Sequence, residues 1–251
     1  EVDLSEELTP DHGWPVAKTY HLNLLDTDPT QNAAAKQASP LPHCQYGDVE
    51  GLNEYIAQMN QLGFLVCYNH PYWSLQDWRD YSGLNGLFAM EIYNHGCEHD
   101  GLYGFNPQVY DEMLRSGQRL FTLSTDDNHD RLPLGHPLND SFGGFVMVAA
   151  TELTYPAVME ALRAGRFYWS QGPELRGMSI ENGVLKVKTS PVEKIFLTLE
   201  NRDSYKAVVS PGETMTEAQF PLNGTEGWFR VQVRDSRGLF AGSNAYFMDQ
   251  L

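Results

Sequence analysis

Gly63-Phe64-Leu65-Val66-Cys67-Tyr68-Asn69-His70-Pro71 places five consecutive apolar residues between a glycine and a histidine. A short unbroken apolar run bounded by turn residues suits a strand buried on both faces, and such strands belong to parallel sheets. Just before it, Leu52, Tyr55, Ile56 and Met59 recur at helical spacing over Leu52–Leu62, with Gly63 placed to end the helix. The alternation continues outward. A strand is predicted over Leu87–Tyr93, a helix over Pro107–Arg115, and strands over Arg119–Ser124 and Gly144–Ala150. A helix over Pro156–Ala164 follows, with Thr154 as its cap and Gly165 as its stop.

Beyond Pro173 the helical spacing disappears and short β-rich runs take over: Val184–Lys188, Lys194–Glu200, Trp228–Asp235 and Ala245–Met248. Asn182-Gly183 is a hairpin signal and Ser236-Arg237-Gly238 a second turn. The expected organisation is therefore a βα domain over residues 1–172 and a small antiparallel β-sandwich over 173–251, with the boundary near Gly172–Gly177. Residues 26–48 carry little pattern and read as a long loop or lid.

At 251 residues the chain can bury a sizeable core, and 41% hydrophobic with 20% charged residues is the composition of a folded globular protein. The formal net charge of −16 argues against gripping nucleic acid or an anionic membrane through a general basic surface. An anionic substrate would need local help, which bound divalent cations supply by reversing the local potential. Cys44, Cys67 and Cys97 form no close-spaced pair, so neither a disulfide framework nor a CxxC zinc knuckle is expected. No apolar run approaches the roughly 18 residues of a membrane span, and the first twenty residues are acidic and polar. A cytoplasmic location is the expectation, although a chain opening on Glu1 is also compatible with a removed leader.

The chemistry gathers where apolar strands end. His70 follows the run at 64–68, and Asp127 and His129 follow Leu120-Phe121-Thr122-Leu123-Ser124. In parallel α/β folds such positions share one mouth. Asp-x-His offers an oxygen and a nitrogen donor from one loop, suited to Zn²⁺, Mn²⁺ or Fe²⁺, while loop hydrogen bonding is its plainer explanation. His21 is the odd residue in Thr19-Tyr20-His21-Leu22-Asn23-Leu24-Leu25, and a satisfied core histidine is the plainer reading of that segment. Glu1, Asp3, Glu6 and Glu7 read equally well as a solvated acidic terminus. His95, Cys97 and His99 cluster in a loop near the mouth without a second close pair elsewhere; His12, His43 and His136 read as surface loop residues.

Taken together, Tyr20-His21-Leu22-Asn23-Leu24, Asn69-His70-Pro71-Tyr72-Trp73, Glu91-Ile92-Tyr93-Asn94 and Ser124-Thr125-Asp126-Asp127-Asn128-His129 resemble the PHP (polymerase and histidinol phosphatase) superfamily. The resemblance is to its amidohydrolase-like branch with a C-terminal sandwich. Gly165-Arg166-Phe167-Tyr168 and Gly172-Pro173-Glu174 add a match at the barrel exit. The resemblance implies a distorted seven-stranded, TIM-like β/α barrel whose C-terminal mouth holds divalent Zn, Mn or Fe. It also implies hydrolysis, most naturally of a small phosphorylated substrate, by metal-activated water. Glu1 is similar to the family's bridging carboxylate, His21 and His70 to the histidines that complete one site with it, and Asp127 and His129 to the closing Asp-x-His. Arg166 is a candidate phosphate contact.

The family's opening His-x-His and the later histidine of its second strand have no counterpart, so they would lie before Glu1. One filled metal site made by Glu1, His21 and His70 is expected, with weakened neighbours. The missing βα units would expose sheet edges, to be covered by upstream residues or by a homodimer. The alternative reading is a catalytically impaired module in which the metal is structural and the sandwich binds a partner.

Overall fold

A computed structural model of the chain describes residues 1–6, 18–38, 41–224 and 227–251. His12 and Glu7 lie outside the described residues. The first half carries β1 (Val2–Ser5), β2 (Thr19–Asp26), α1 (Ala33–Gln37), α2 (Val49–Gln61), β3 (Phe64–Tyr68), α3 (Trp78–Tyr81), β4 (Ala89–Asn94), α4 (His95–His99), α5 (Pro107–Arg115) and β5 (Phe121–Thr125). Then come β6 (Phe145–Val148), α6 (Tyr155–Arg163), β7 (Phe167–Ser170), β8 (Leu175–Glu181), β9 (Val184–Val192), β10 (Lys194–Leu199) and β11 (Ser204–Val208). The chain ends with β12 (Met215–Pro221), β13 (Trp228–Arg234), β14 (Phe240–Ser243) and β15 (Tyr246–Phe247).

Five strands, ordered β1-β2-β3-β4-β5, form the first sheet. The β1–β2 and β2–β3 pairs are antiparallel, and only β3–β4 and β4–β5 are parallel. The unbroken apolar run of β3 has a direct cause. Val66 and Tyr68 face one core with Leu52, Ile56 and Met59 of α2, whereas Leu65 and Cys67 face another with Met159 and Leu162 of α6. Burial of each such side chain contributes about 1.5–3 kcal/mol. Helix α2 starts at Val49, earlier than its apolar stripe, because the Asp48 side chain accepts the Gly51 N–H at 3.0 Å and caps it.

A seven-stranded sheet runs β11-β10-β13-β14-β7-β6 with β15 against β13, and a three-stranded sheet runs β12-β9-β8. Leu185 and Val187 of β9 meet Ile195 and Leu197 of β10 and Val231 and Val233 of β13 in an apolar core between them. Asn182 and Gly183, at φ of 51° and 74°, make the tight turn from β8 to β9. The expected boundary near Gly172–Gly177 falls at the β7–β8 connection, and the seven-stranded sheet runs across it by pairing β7 with β14. Arg230 of β13 further ties the halves together, its Nε and Nη2 donating to Asp111 at 2.7 and 3.0 Å in a nearly dry pair.

The expected TIM-like β/α barrel is not formed. The described residues make three sheets and no closed ring, and strand outweighs helix. A barrel needs an unbroken ladder around its axis. Here the ladder stops at β5, whose free edge is taken by a side chain: Asn244 Oδ1 accepts the Thr122 N–H at 2.9 Å and its hydroxyl at 3.1 Å, while Asn244 Nδ2 donates to the Phe167 carbonyl at 3.0 Å. Strands β6 and β7 pair antiparallel with each other instead of extending the parallel set. Two of the helices after parallel strands, α3 and α4, are single turns of four and five residues, too short to wrap a barrel. Within the stretch read as a loop, Ala33–Gln37 forms a short helix and residues 39–40 lie outside the described residues. Among the described residues no helix is long and apolar enough to cross a membrane.

Candidate metal centre

The carboxyl ends of β3, β4 and β5 open on one cleft of about 480 Å³, and β2 and the start of β1 close its other side. Asp3 stands opposite His21 in the β1–β2 ladder, and the Asn69 N–H donates to the His21 carbonyl at 2.9 Å, so His21 is level with the end of β3. Glu1, His21, His70, Asp127 and His129 all line this cleft. Arg166 does not: it lines a separate hollow and pairs with Glu160 at 2.9 Å. Arg131 is the one Lys or Arg among the cleft's described lining residues. His43 and His136 are exposed, as a surface placement requires.

The two histidines are buried, His21 at 9% and His70 at 4% exposure, and His21 Nδ1 lies 2.6 Å from His70 Nε2. The other His21 nitrogen, Nε2, is buried without a well-formed hydrogen bond although Glu1 Oε1 is 2.5 Å away. A buried polar atom in that condition is costly unless something else bonds it. His70 Nδ1 is oriented by the buried Ser74 hydroxyl at 3.0 Å. Burial, and then the neighbouring His21, pull the His70 imidazole down to about 4, so at neutral pH it is the unprotonated ring that metals require.

Behind the histidines lies Glu91, a fully buried carboxylate in the middle of β4. Its Oε2 accepts the His70 N–H at 2.9 Å and the Asn94 side-chain amide at 2.9 Å, and its Oε1 accepts the Thr125 hydroxyl at 2.8 Å. Asn94 Nδ2 also donates to Asp127 Oδ2 at 3.1 Å. One carboxylate thus joins the ends of all three parallel strands. Burial pushes its pKa up to about 7, against the opposing pull of the bonds from Asn94 and Thr125. The signal for Glu91 was present as the lone acid among Ala89, Met90, Ile92 and Tyr93 in a strand otherwise apolar enough to be buried.

Asp127 and its neighbour Asp126 have separate tasks. Asp126 accepts the N–H groups of Phe142, Gly143 and Gly144 at 2.5, 2.8 and 2.8 Å and so anchors the loop that follows. Asp127, at φ of 50°, turns into the cleft. His129 sits at the rim, half exposed, with Nδ1 2.7 Å from the Asp127 carbonyl and its N–H on Asp140. Of the cluster in α4, His95 and His99 face each other at 3.2 Å, while Cys97 is buried and approaches the predicted ligands. The ligand atoms of His70, Cys97 and Asp127 all lie within 4.8 Å of one another. Burial first, then Asp127 and Glu91, push the Cys97 thiol well above its ordinary value.

Compared with family models, with curated proteins and with solved structures, the chain matches none. The reading of the cleft therefore rests on its own chemistry. Glu1, Asp3, Asp100, Asp127 and Asp140 put five carboxylates around two adjoining imidazoles, with Arg131 at hand. Such a donor set suits a divalent cation with mixed nitrogen and oxygen ligands.

Proposed function

We propose that the cleft holds a divalent metal and that the protein is a metal-dependent hydrolase acting on a small phosphate ester. The observation that carries this reading is the meeting of the His70 and Asp127 ligand atoms within 4.8 Å of each other in a cleft that Glu1, His21 and His129 also line. Zn²⁺, Mn²⁺ and Fe²⁺ are the ions that this donor set suits. His21, His70, Glu1 and Asp127 would hold the ion, with His129 available at the rim. When bound, such an ion lowers the pKa of water and draws negative charge from phosphoryl oxygens.

The chain's own residues supply the rest. Arg131 meets the anionic end of the substrate where carboxylates would otherwise repel it. Glu91 fixes the backbone of His70 and, through Asn94, the carboxylate of Asp127, so that the donors are placed before any ligand arrives. Trp73 packs edge-on against His70, with ring centroids 5.1 Å apart, and its indole N–H donates to Asp100 at 3.0 Å. It walls one side of the cleft.

The test is turnover of phosphomonoester and phosphodiester panels by metal-stripped protein supplied with Mn²⁺, Zn²⁺ or Fe²⁺. Metal-stimulated hydrolysis that falls more than about 100-fold in His70→Ala is expected, because disturbing even the supports of a ligand costs about 10–100-fold. No stimulated turnover of any ester with any of the three ions would contradict it.

A further inference from the structure

We infer that Cys97 Sγ is a direct ligand of the cation held by His70 and Asp127, which makes the centre a sulfur-containing one selective for Zn²⁺, Fe²⁺ or Co²⁺ over Mg²⁺ and Ca²⁺. This rests on the reading of the cleft as a metal centre and adds to it the ligand that sets the ion's identity.

Two independent features aim at that arrangement. Donor atoms of Cys97, His70 and Asp127 fall within 4.8 Å of one another, a spacing that a single central ion can bridge with ordinary bonds of about 2.0–2.3 Å. Cys97 is 3% exposed, and among the described residues its sulfur makes no hydrogen bond, although its backbone N–H is taken by the Asn94 side chain at 2.9 Å.

The backbone is shaped to bring the three together. His70 and Asp127, neither a glycine, sit at φ of 27° and 50°, strained conformations that persist only where the surroundings enforce them. The enforcing bonds are those of Glu91 to the His70 N–H and of Asn94 to the Asp127 carboxylate. On the third side, Gly96 lets α4 close on the Asp127 loop: its N–H donates to the Asp126 carbonyl at 2.9 Å, and a Cβ there would stand 3.1 Å from the Asp127 carbonyl oxygen. A larger residue at 96 would push Cys97 away from Asp127. A cysteine serving only as core filler would not need this approach.

Coordination breaks the S–H bond, forms a metal–sulfur bond and passes the proton to solvent. A thiolate donor favours borderline and soft ions, whereas Mg²⁺ and Ca²⁺ prefer all-oxygen sites.

The experiment is titration of the metal-stripped full chain with Co²⁺, followed by absorption. A thiolate-to-cobalt charge-transfer band in the near ultraviolet, saturating at one ion per chain, is expected. Cys97→Ser should abolish that band, keep the visible cobalt bands and weaken Co²⁺ binding at least about tenfold. Zn²⁺ should displace the cobalt and excess Mg²⁺ should not. Visible bands that vanish in His70→Ala, but without charge transfer in the wild type, would overturn the role of Cys97 and leave the metal centre standing. A charge-transfer band surviving in Cys97→Ser would assign the sulfur to Cys44 or Cys67 and also overturn it. Absence of all cobalt bands would remove the metal centre itself.

Discussion

Strands β3 and β4 are buried at nearly every residue and β5 through its middle, whereas β9 and β10 bury about every second residue, and the two sets also differ in what they bury. The parallel set ends in polar groups held out of water: Asn69 and His70 after β3, Glu91 and Asn94 in β4, and Ser124 in β5. In the antiparallel set the facing residues are Leu185, Val187, Ile195, Leu197, Val231 and Val233, and the buried polar side chains on these strands, Thr189 and Arg230, lie apart from one another and are each hydrogen-bonded. A buried polar group left without its partner costs about 1–3 kcal/mol, so a concentration of them is sustained only where a network or a ligand satisfies them. The difference separates a part of the molecule built for chemistry from one built for cohesion.

The sharpest way to break that division is to damage the cohesive part alone. Leu197→Ala should lower stability by about 2–5 kcal/mol in urea denaturation while leaving metal affinity within about twofold, since Leu197 is fully buried among apolar neighbours remote from the cleft. A parallel loss of metal affinity in that variant would show that the two parts are one energetic unit.

A smaller effect distinguishes the polar network. In metal-free protein Glu91 stands at about 7 against an ordinary 4.5, and His70 at about 4 against an ordinary 6.5. The raised carboxyl contributes stability that is full below 4.5 and is lost as pH rises through about 7. The depressed imidazole contributes stability that is full above 6.5 and is lost as pH falls through about 4. Between 4.5 and 6.5 the two slopes oppose, so wild-type stability should be nearly flat there. Glu91→Gln removes the falling slope and should leave stability rising with pH by up to about 1.4 kcal/mol per unit. Superimposable pH profiles of the two proteins would contradict the network.

The smallest expected effect concerns Arg166. Its partner is Glu160 and both side chains are substantially exposed, so Arg166→Ala should change stability by less than about 1 kcal/mol and leave metal-stimulated turnover within about twofold. A large loss of turnover would return Arg166 to the site.

How much was legible follows the range of the forces involved. The strand at Phe64–Tyr68 and the helix at Pro107–Arg115 coincide with β3 and α5, because their burial is written in local periodicity. Strands β8 and β12 lack a clean alternation, and β11 alternates but has no buried residue, so local pattern does not mark them as strands. The absence of a closed barrel depends on long-range contacts: Asn244 seals the Thr122 edge from a separation of 122 residues, which no local pattern announces. At the site, His21, His70 and Asp127 stood out as polar residues on or after apolar strands. Cys97 is legible only as a member of a loop cluster with His95 and His99 near the mouth; its distance to His70 and Asp127 is not carried by the sequence.

The most direct measurement is calorimetric titration of Zn²⁺ into metal-stripped wild type and His70→Ala at neutral pH. Binding of one tight equivalent with proton release, weakened more than about 100-fold in His70→Ala, is the expected result. No binding to the wild type, or equal binding to both proteins, would contradict a metal centre at the ends of β3, β4 and β5.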